Sequence, residues 1–153
     1  MIKTISYDQE EIIQSIIKLY CSEGIELDPT YSKGVFYKGL LREPRLKFDI
    51  NPVLRSVTQS CATSLPIADE SVFSIMFDPP FLATTGKSLK SKAKNNIINK
   101  RFGVFKNEKE LHSFYIAALA ELYRVCKPNG FLIFKCQDKV SSGKQYFSHR
   151  FIH

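Results

Sequence analysis

The sequence has no long apolar run, and no stretch approaches the roughly 20 residues that a membrane-spanning helix requires. Its first residues lack the apolar core of a secretory signal peptide and instead carry Asp8, Glu10 and Glu11. It also has no internal repeat and no low-complexity segment. These absences argue against a membrane or secreted protein, and we expect a cytoplasmic protein with no membrane partner.

The cysteines and histidines also lack the spacings that indicate a metal site or a catalytic triad. No two cysteines form a Cys-x₂-Cys pair, and all four lie in or beside apolar stretches: Cys21, Cys61, Cys126 and Cys136. This arrangement favours reduced, packed thiols over a zinc site or disulfides. The three histidines stand in no spacing typical of a catalytic triad, which favours surface or tail roles over a nucleophilic triad. We therefore predict no metal.

Length and patterning predict a single α/β domain over residues 1–153. Hydrophobic residues make up 44% of the chain, which is near the globular norm. Apolar residues at helical spacing predict helices over 8–21 and 108–126, and apolar runs predict strands near 24–28, 46–50, 57–61, 72–77 and 131–134. Alternating strands and helices indicate a mostly parallel sheet flanked by helices.

The segment Asp78-Pro79-Pro80-Phe81 follows the apolar run 72–77 and is the most informative part of the sequence. Both prolines lack an N–H and fix φ near −65°, so the chain must leave the sheet in a stiff, extended turn. Such a turn would present the Asp78 carboxylate and the Asp78 and Pro79 carbonyls as acceptors, with the Phe81 ring close by. An exocyclic amino group of a nucleobase needs acceptors of this kind and a flat surface. The alternative is an ordinary strand-ending turn.

This tetrapeptide resembles motif IV of the S-adenosylmethionine-dependent amino-methyltransferases, which methylate adenine N6, cytosine N4 or guanine N2. Other segments resemble that family in its usual order: 24–34 its first strand and glycine-rich loop, 46–52 its second strand, 62–69 the segment bordering the cofactor's adenine, and 121–130 the end of the helix before its fifth strand. The resemblance implies a Rossmann-like class I methyltransferase fold. It also implies four catalytic residues, namely Asp78, Pro79, Pro80 and Phe81.

The resemblance further implies S-adenosylmethionine as cofactor and assigns four residues to it. Asp28 and Gly34 would border its methionine end, Asp49 would accept hydrogen bonds from the ribose hydroxyls, and Ala62 would border the adenine. Asp49 follows Asp28 by 21 residues, close to the spacing of about 20 in nucleotide-binding βαβ units.

Some features depart from the family pattern. Ser32 stands where the family prefers glycine, which permits positive φ and close approach of the backbone to the cofactor. With serine there, we expect a different path for the loop. Cys61 stands where an Asp often accepts from the adenine amino group. The family's sheet ends with two more strands, whereas this chain stops inside what looks like a helix. We therefore expect a truncated or minimal version in which the C-terminal strands are missing.

The net charge of +7 is concentrated in residues 82–106, which contain seven basic residues and no acidic one. A basic segment directly after the turn would hold a polyanion through counterion release. A solvated surface that aids solubility is the alternative. We expect nucleic acid to be the partner, with DNA favoured over RNA. The residues assigned to it are Lys87, Lys90, Lys92, Lys94, Lys100 and Arg101, and Lys106 is the seventh basic residue.

The function predicted from these features is methyl transfer from S-adenosylmethionine to adenine N6 in DNA. The base would be flipped out of the duplex, and Phe81 would stack on it. Asp78 and the Pro79 carbonyl would accept the amino hydrogens, so that catalysis would rest on positioning and preorganised electrostatics. Two alternatives stay open: an RNA guanine-N2 or adenine-N6 methyltransferase, and a catalytically inactive methyltransferase-like nucleic-acid-binding module.

Overall fold

The part of the chain that the structure describes folds into a parallel five-stranded sheet with two α-helices. The computed structural model describes residues 5–21, 23–39, 41–81, 105–141 and 143–146. In chain order the elements of this part are α1 (Gln9–Tyr20), β1 (Leu27–Asp28), a 3₁₀ helix (Val35–Tyr37), β2 (Leu46–Asp49), β3 (Thr58–Gln59), β4 (Val72–Phe77), α2 (Glu108–Val125) and β5 (Cys126–Phe134). The predicted α/β layout is confirmed.

The strands lie in the order β3-β2-β1-β4-β5, and every neighbouring pair is parallel. The chain builds β2 and β3 outward on one side of β1, then crosses back to place β4 and β5 on the other side. The strand order therefore reverses between β1 and β4. Because all five strands run in one direction, their carboxyl ends meet at a single edge of the sheet, which we call the carboxyl edge. In open α/β sheets, ligands bind outside this edge at the reversal point.

Among the described residues, one helix packs on each face of the sheet. Successive side chains of a strand point to opposite faces, so Ile75 and Phe77 join one core cluster and Met76 joins the other. The first cluster includes the buried face of α2, with Ala118, Leu122 and Val125, and the second includes Ile13 of α1. This two-sided burial explains why β4 is apolar at every position except Ser74.

Both helices begin at side-chain caps. Asp8 accepts hydrogen bonds from the Glu10 and Glu11 amides at the start of α1, and Asn107 accepts from the Glu110 amide at the start of α2. An N-cap of this kind satisfies a backbone donor that has no partner inside the helix. The predicted helix over 108–126 is confirmed to within one residue, and so is the one over 8–21.

The C-terminal part contains a hairpin that was not predicted: β6 (Lys139–Ser141) and β7 (Lys144–Tyr146) pair as antiparallel strands. The helix expected at the end of the chain lies outside the described residues. This hairpin forms a two-stranded sheet of its own, so within the described residues the parallel sheet has five strands. Strand β5 also begins earlier than predicted, because Cys126 already pairs with Val72, and an irregular stretch with Asn129 in the left-handed region precedes Phe131.

Neither helix of the described residues has the length and apolarity needed to span a membrane.

Candidate functional site

Three carboxylates predicted to act in the site lie at the carboxyl edge. Asp28 is the last residue of β1, Asp49 is the last residue of β2, and Asp78 directly follows β4. Since β1 pairs with both β2 and β4, these residues end three adjacent strands around the reversal point. The fold therefore brings together acids that are far apart in the sequence.

Asp49 holds the loop that follows β1. Its Oδ2 accepts from the Ser32 amide at 2.9 Å, and its Oδ1 accepts from the Asn51 amide at 2.7 Å. The side chain is buried, with 7% of the residue exposed. Each carboxylate oxygen has two lone pairs, so Asp49 keeps acceptor capacity for further donors such as hydroxyl groups.

Asp28 is buried more deeply and is engaged by protein donors. Its Oδ1 accepts from the Thr30 amide at 2.8 Å and the Thr30 hydroxyl at 3.2 Å, and its Oδ2 accepts from the Tyr37 hydroxyl at 2.9 Å. Only 1% of the residue is exposed. Burial raises the pKa of Asp28 to about 7, even though these donors act to lower it. In this arrangement Asp28 supports the loop from within, and direct contact between Asp28 and a cofactor stays a prediction.

The loop between Asp28 and the 3₁₀ helix contains two residues in the left-handed conformation. Gly34 has φ of 61° and is buried against Tyr31, whose ring a side chain at position 34 would overlap. Ser32 has φ of 53°, so it adopts a conformation that favours glycine, at a cost of roughly 1–2 kcal/mol for an L-residue. The hydrogen bond from the Ser32 amide to Asp49 stabilises it there. Ser32 thus adopts a glycine-like conformation at the position where the sequence resemblance leads us to expect glycine.

Asp78 lies next to Lys135, a residue that the sequence did not indicate. Strands β4 and β5 are in register at Phe77 and Phe134, so the next residues of both strands are neighbours at the carboxyl edge. Lys135 Nζ lies 3.4 Å from Asp78 Oδ1, and this buried oxygen has no hydrogen-bond partner among the described residues. Burial raises the pKa of Asp78, while the Lys135 ammonium acts to lower it. The pairing of Phe77 with Phe134 is the feature that identifies Lys135 as the neighbour of Asp78.

The turn Asp78–Phe81, which we call the proline turn, is held by hydrogen bonds near both of its ends. The Asp78 amide donates to the Thr30 hydroxyl at 2.9 Å, and the Tyr115 hydroxyl of α2 donates to the Pro80 carbonyl at 3.0 Å. Pro79 is buried and Phe81 is half-buried. These contacts hold a turn that has few donors of its own, because neither proline has an N–H.

Ala62 follows β3 and is buried in the core cluster beneath α2. The segment after it is tied to α2 by polar contacts: Glu121 Oε1 accepts from the Leu65 amide at 2.6 Å, and the Arg124 guanidinium donates to the Leu65 and Ile67 carbonyls at 3.2 and 3.1 Å. Arg124 also pairs with Glu121 and Asp69. The segment predicted to border the adenine is therefore fixed in position by the helix behind it.

The residues assigned to nucleic acid, Lys87, Lys90, Lys92, Lys94, Lys100 and Arg101, lie outside the described residues. Of the seven basic residues, Lys106 lies within the described part. Its amide donates to Glu110 at 2.9 Å and its ammonium lies 3.7 Å from the same carboxylate. Phe105 packs against Phe114 of α2, with ring centroids 5.3 Å apart. These two residues thus help to form the beginning of α2.

Other features of the described residues lie away from this site. Two surface clefts, of about 420 and 630 Å³, are lined by described residues at the opposite edge of the sheet, where the strands begin. The four cysteines are free thiols, as predicted. No group of three or more His, Cys, Asp or Glu residues that could hold a metal ion occurs in the described part of the chain.

Comparison of the sequence with models of protein families, with curated proteins and with solved structures found no match.

Proposed function

We propose that the protein transfers a methyl group from S-adenosylmethionine to an exocyclic amino group of a nucleobase, with adenine N6 in DNA as the first candidate, on a Rossmann-like methyltransferase fold. The observation that carries this proposal is the position of Asp78. It lies at the carboxyl end of β4 beside the reversal of strand order. Its buried Oδ1 faces the Lys135 ammonium at 3.4 Å and has no partner of hydrogen-bond geometry among the described residues. An amino group on a flat ring would supply a donor of that geometry.

The residues at the edge are compatible with the proposed cofactor. Asp49 keeps acceptor capacity for ribose hydroxyls, and the left-handed residues Ser32 and Gly34 allow backbone to approach a ligand closely. Asp28 would act behind that loop, holding Thr30 and Tyr37. The cofactor would supply an electrophilic methyl group.

The protein's own part in the reaction would be positioning and electrostatics. Ionised Asp78 and the Pro79 carbonyl would accept the hydrogens of the target amino group and orient its lone pair, and Phe81 would support the ring. Asp78 would also stabilise the positive charge that develops on the nitrogen as the new bond forms. The Lys135 ammonium would favour the ionised form of Asp78, in opposition to the burial that raises the pKa of this carboxyl. The basic segment after the turn would bind phosphates.

The test is a transfer assay with methyl-labelled S-adenosylmethionine on DNA and on RNA, followed by identification of the modified base. We expect Asp78→Ala to lower the transfer rate by about 10²-fold or more, by analogy with the loss of a single preorganised group at an oxyanion site. Cofactor affinity should stay nearly unchanged, because Asp78 faces the amine. Substantial methylation by Asp78→Ala would exclude the assigned role of Asp78.

The same assay separates the alternatives. Label in RNA alone would replace DNA by RNA as the substrate. Thermal stabilisation by S-adenosylmethionine without transfer to either nucleic acid would argue against an enzyme acting on them. A ligand at 100 times its Kd adds about 2.7 kcal/mol to the unfolding free energy, so the absence of any shift at millimolar concentration would argue for a module without cofactor.

A further inference from the structure

The hydroxyl of Thr30 joins the end of β1 to the beginning of the proline turn. It accepts the hydrogen bond from the Asp78 amide at 2.9 Å and lies 3.2 Å from Asp28 Oδ1, to which it donates. A hydroxyl has one hydrogen and two lone pairs. Because the hydrogen is directed at Asp28, a lone pair is left to face the Asp78 N–H.

Asp28 is itself held rigidly. Its Oδ2 accepts from the Tyr37 hydroxyl at 2.9 Å, and the Tyr37 ring stacks on Tyr31 with 5.4 Å between centroids and 8° between planes. Both Asp28 and Tyr37 are buried, at 1% and 7% exposure. A buried and satisfied network of this kind fixes the position of its members. Thr30 is therefore oriented by the protein interior rather than by solvent.

The Asp78 amide is followed by two residues that cannot donate a backbone hydrogen bond. Residues 79 and 80 are prolines and have no N–H, so residue 78 has the only backbone donor in the first three residues of the turn. The hydrogen bond from the Asp78 N–H to the Thr30 hydroxyl is thus the only one through which a backbone donor of residues 78–80 can hold the turn. The other hydrogen bond that holds the turn, from the Tyr115 hydroxyl to the Pro80 carbonyl, lies toward its far end.

We propose that Thr30 is a positioning residue for Asp78: its hydroxyl, oriented by Asp28, fixes the amino end of the proline turn and with it the Asp78 carboxylate. The catalytic consequence rests on the proposed methyl transfer, whereas the hydrogen bond itself does not. The same contact ties the loop expected to hold the cofactor to the turn expected to hold the target base.

The experiment compares Thr30→Val, which removes the hydroxyl and keeps the shape, with Thr30→Ser, which keeps the hydroxyl. The first readout is hydrogen exchange at the Asp78 amide by NMR. We expect Thr30→Val to lose about threefold to tenfold of the protection at this amide, in line with one ordinary hydrogen bond, and Thr30→Ser to retain it. Amides in the paired part of β4 and β5, such as that of Ile133, serve as the control for folding. If Thr30→Val does not fold, Thr30→Ala gives the same comparison.

The second readout is methyl transfer. We expect Thr30→Val to lower kcat about 10–100-fold while KM for S-adenosylmethionine stays within about twofold, since misplacing a reacting group acts on the chemical step. Thr30→Ser should restore kcat. Unchanged Asp78 exchange in Thr30→Val would overturn the proposed link, and lost protection with unchanged kcat would overturn the positioning role. Failure of the wild type to methylate any nucleic acid would instead reject the proposed function, and the exchange data would still decide whether Thr30 holds Asp78.

Discussion

Lys135 Nζ lies 3.4 Å from Asp78 Oδ1, and it also lies 5.0 Å from the centroid of the Phe36 ring. The lysine side chain thus spans from the end of β5 to the 3₁₀ helix after β1, past the carboxylate at the end of β4. Burial raises the pKa of the half-buried Asp78 carboxyl, and the Lys135 ammonium offsets part of that rise.

Replacing Lys135 by Met should therefore raise the pKa of Asp78 further, because burial would act on the carboxyl without an opposing charge. The measurement is an NMR titration of the Asp78 carboxyl carbon. If transfer requires ionised Asp78, the acidic limb of the pH–rate profile should move to higher pH in the same variant. Lys135→Arg keeps the charge and is the matched control. An Asp78 titration identical in Lys135→Met and wild type would disprove the electrostatic role of the lysine.

Replacing Asp28 by Asn should change how stability depends on pH. Burial raises the pKa of Asp28 from 3.8 to about 7, so the folded protein binds a proton more tightly than the unfolded chain does. The free energy of unfolding should consequently fall as the pH rises from about 4 to about 7, and this contribution should level off above that range. Asn resembles the protonated carboxyl and should remove the fall.

Urea unfolding at pH 5 and pH 8 measures this difference. The exposed residue Glu23 offers a control, and Glu23→Gln should keep the wild-type difference between the two pH values. The same difference in Asp28→Asn as in the wild type would mean that another group carries the pH dependence.

Replacing Asp49 by Ala should weaken S-adenosylmethionine binding by about 10–100-fold, since a charged acceptor for two hydroxyls is worth roughly 1.5–3 kcal/mol. The substitution also removes the acceptor of the Ser32 amide, which donates to Asp49 in the wild type. Calorimetry on the variant measures the affinity. Exposed Glu70, at the opposite edge of the sheet, provides the control Glu70→Gln. Equal affinity in Asp49→Ala and wild type would assign the ribose contact to another residue.

Replacing Lys90, Lys92 and Lys94 together by Gln should weaken nucleic-acid binding about equally for all sequences. If each contacts one phosphate, the slope of log affinity against log salt should fall by up to about 3 for duplex DNA. Fluorescence anisotropy at several salt concentrations measures both quantities. Cofactor binding should be unaffected. An unchanged slope would identify the basic segment as a solubilising surface.

The sequence predicted those parts of the fold whose pattern extends over many residues. Strand β4 has five apolar residues among its six and α2 carries an apolar face over 18 residues, so both were located closely. Strands β1 and β3 are only two residues long and were predicted longer, because their ends are set by hydrogen bonds to neighbours. The C-terminal hairpin was missed, since its strands of three residues carry no clear alternation.

The site followed the same rule. Strand ends placed Asp28, Asp49 and Asp78 at one edge, because parallel strands end together. The burial of Asp28 was not predictable, since it depends on Tyr37 in a helix of three residues that has no periodicity to detect. Lys135 and Thr30 belong to the site through register and side-chain contact, and neither of these can be read from residue types alone.

The central position of β1 has a consequence for how the chain reaches its native state. The amide of Glu26, just before β1, bonds to Ser74, which lies 48 residues further along the chain. Closing so long a loop loses chain entropy before any contact compensates for it, and proteins dominated by such distant pairings fold slowly. The three acidic strand ends become neighbours only once this closure has occurred. We therefore expect the site to form late in folding, after β1 and β4 have paired.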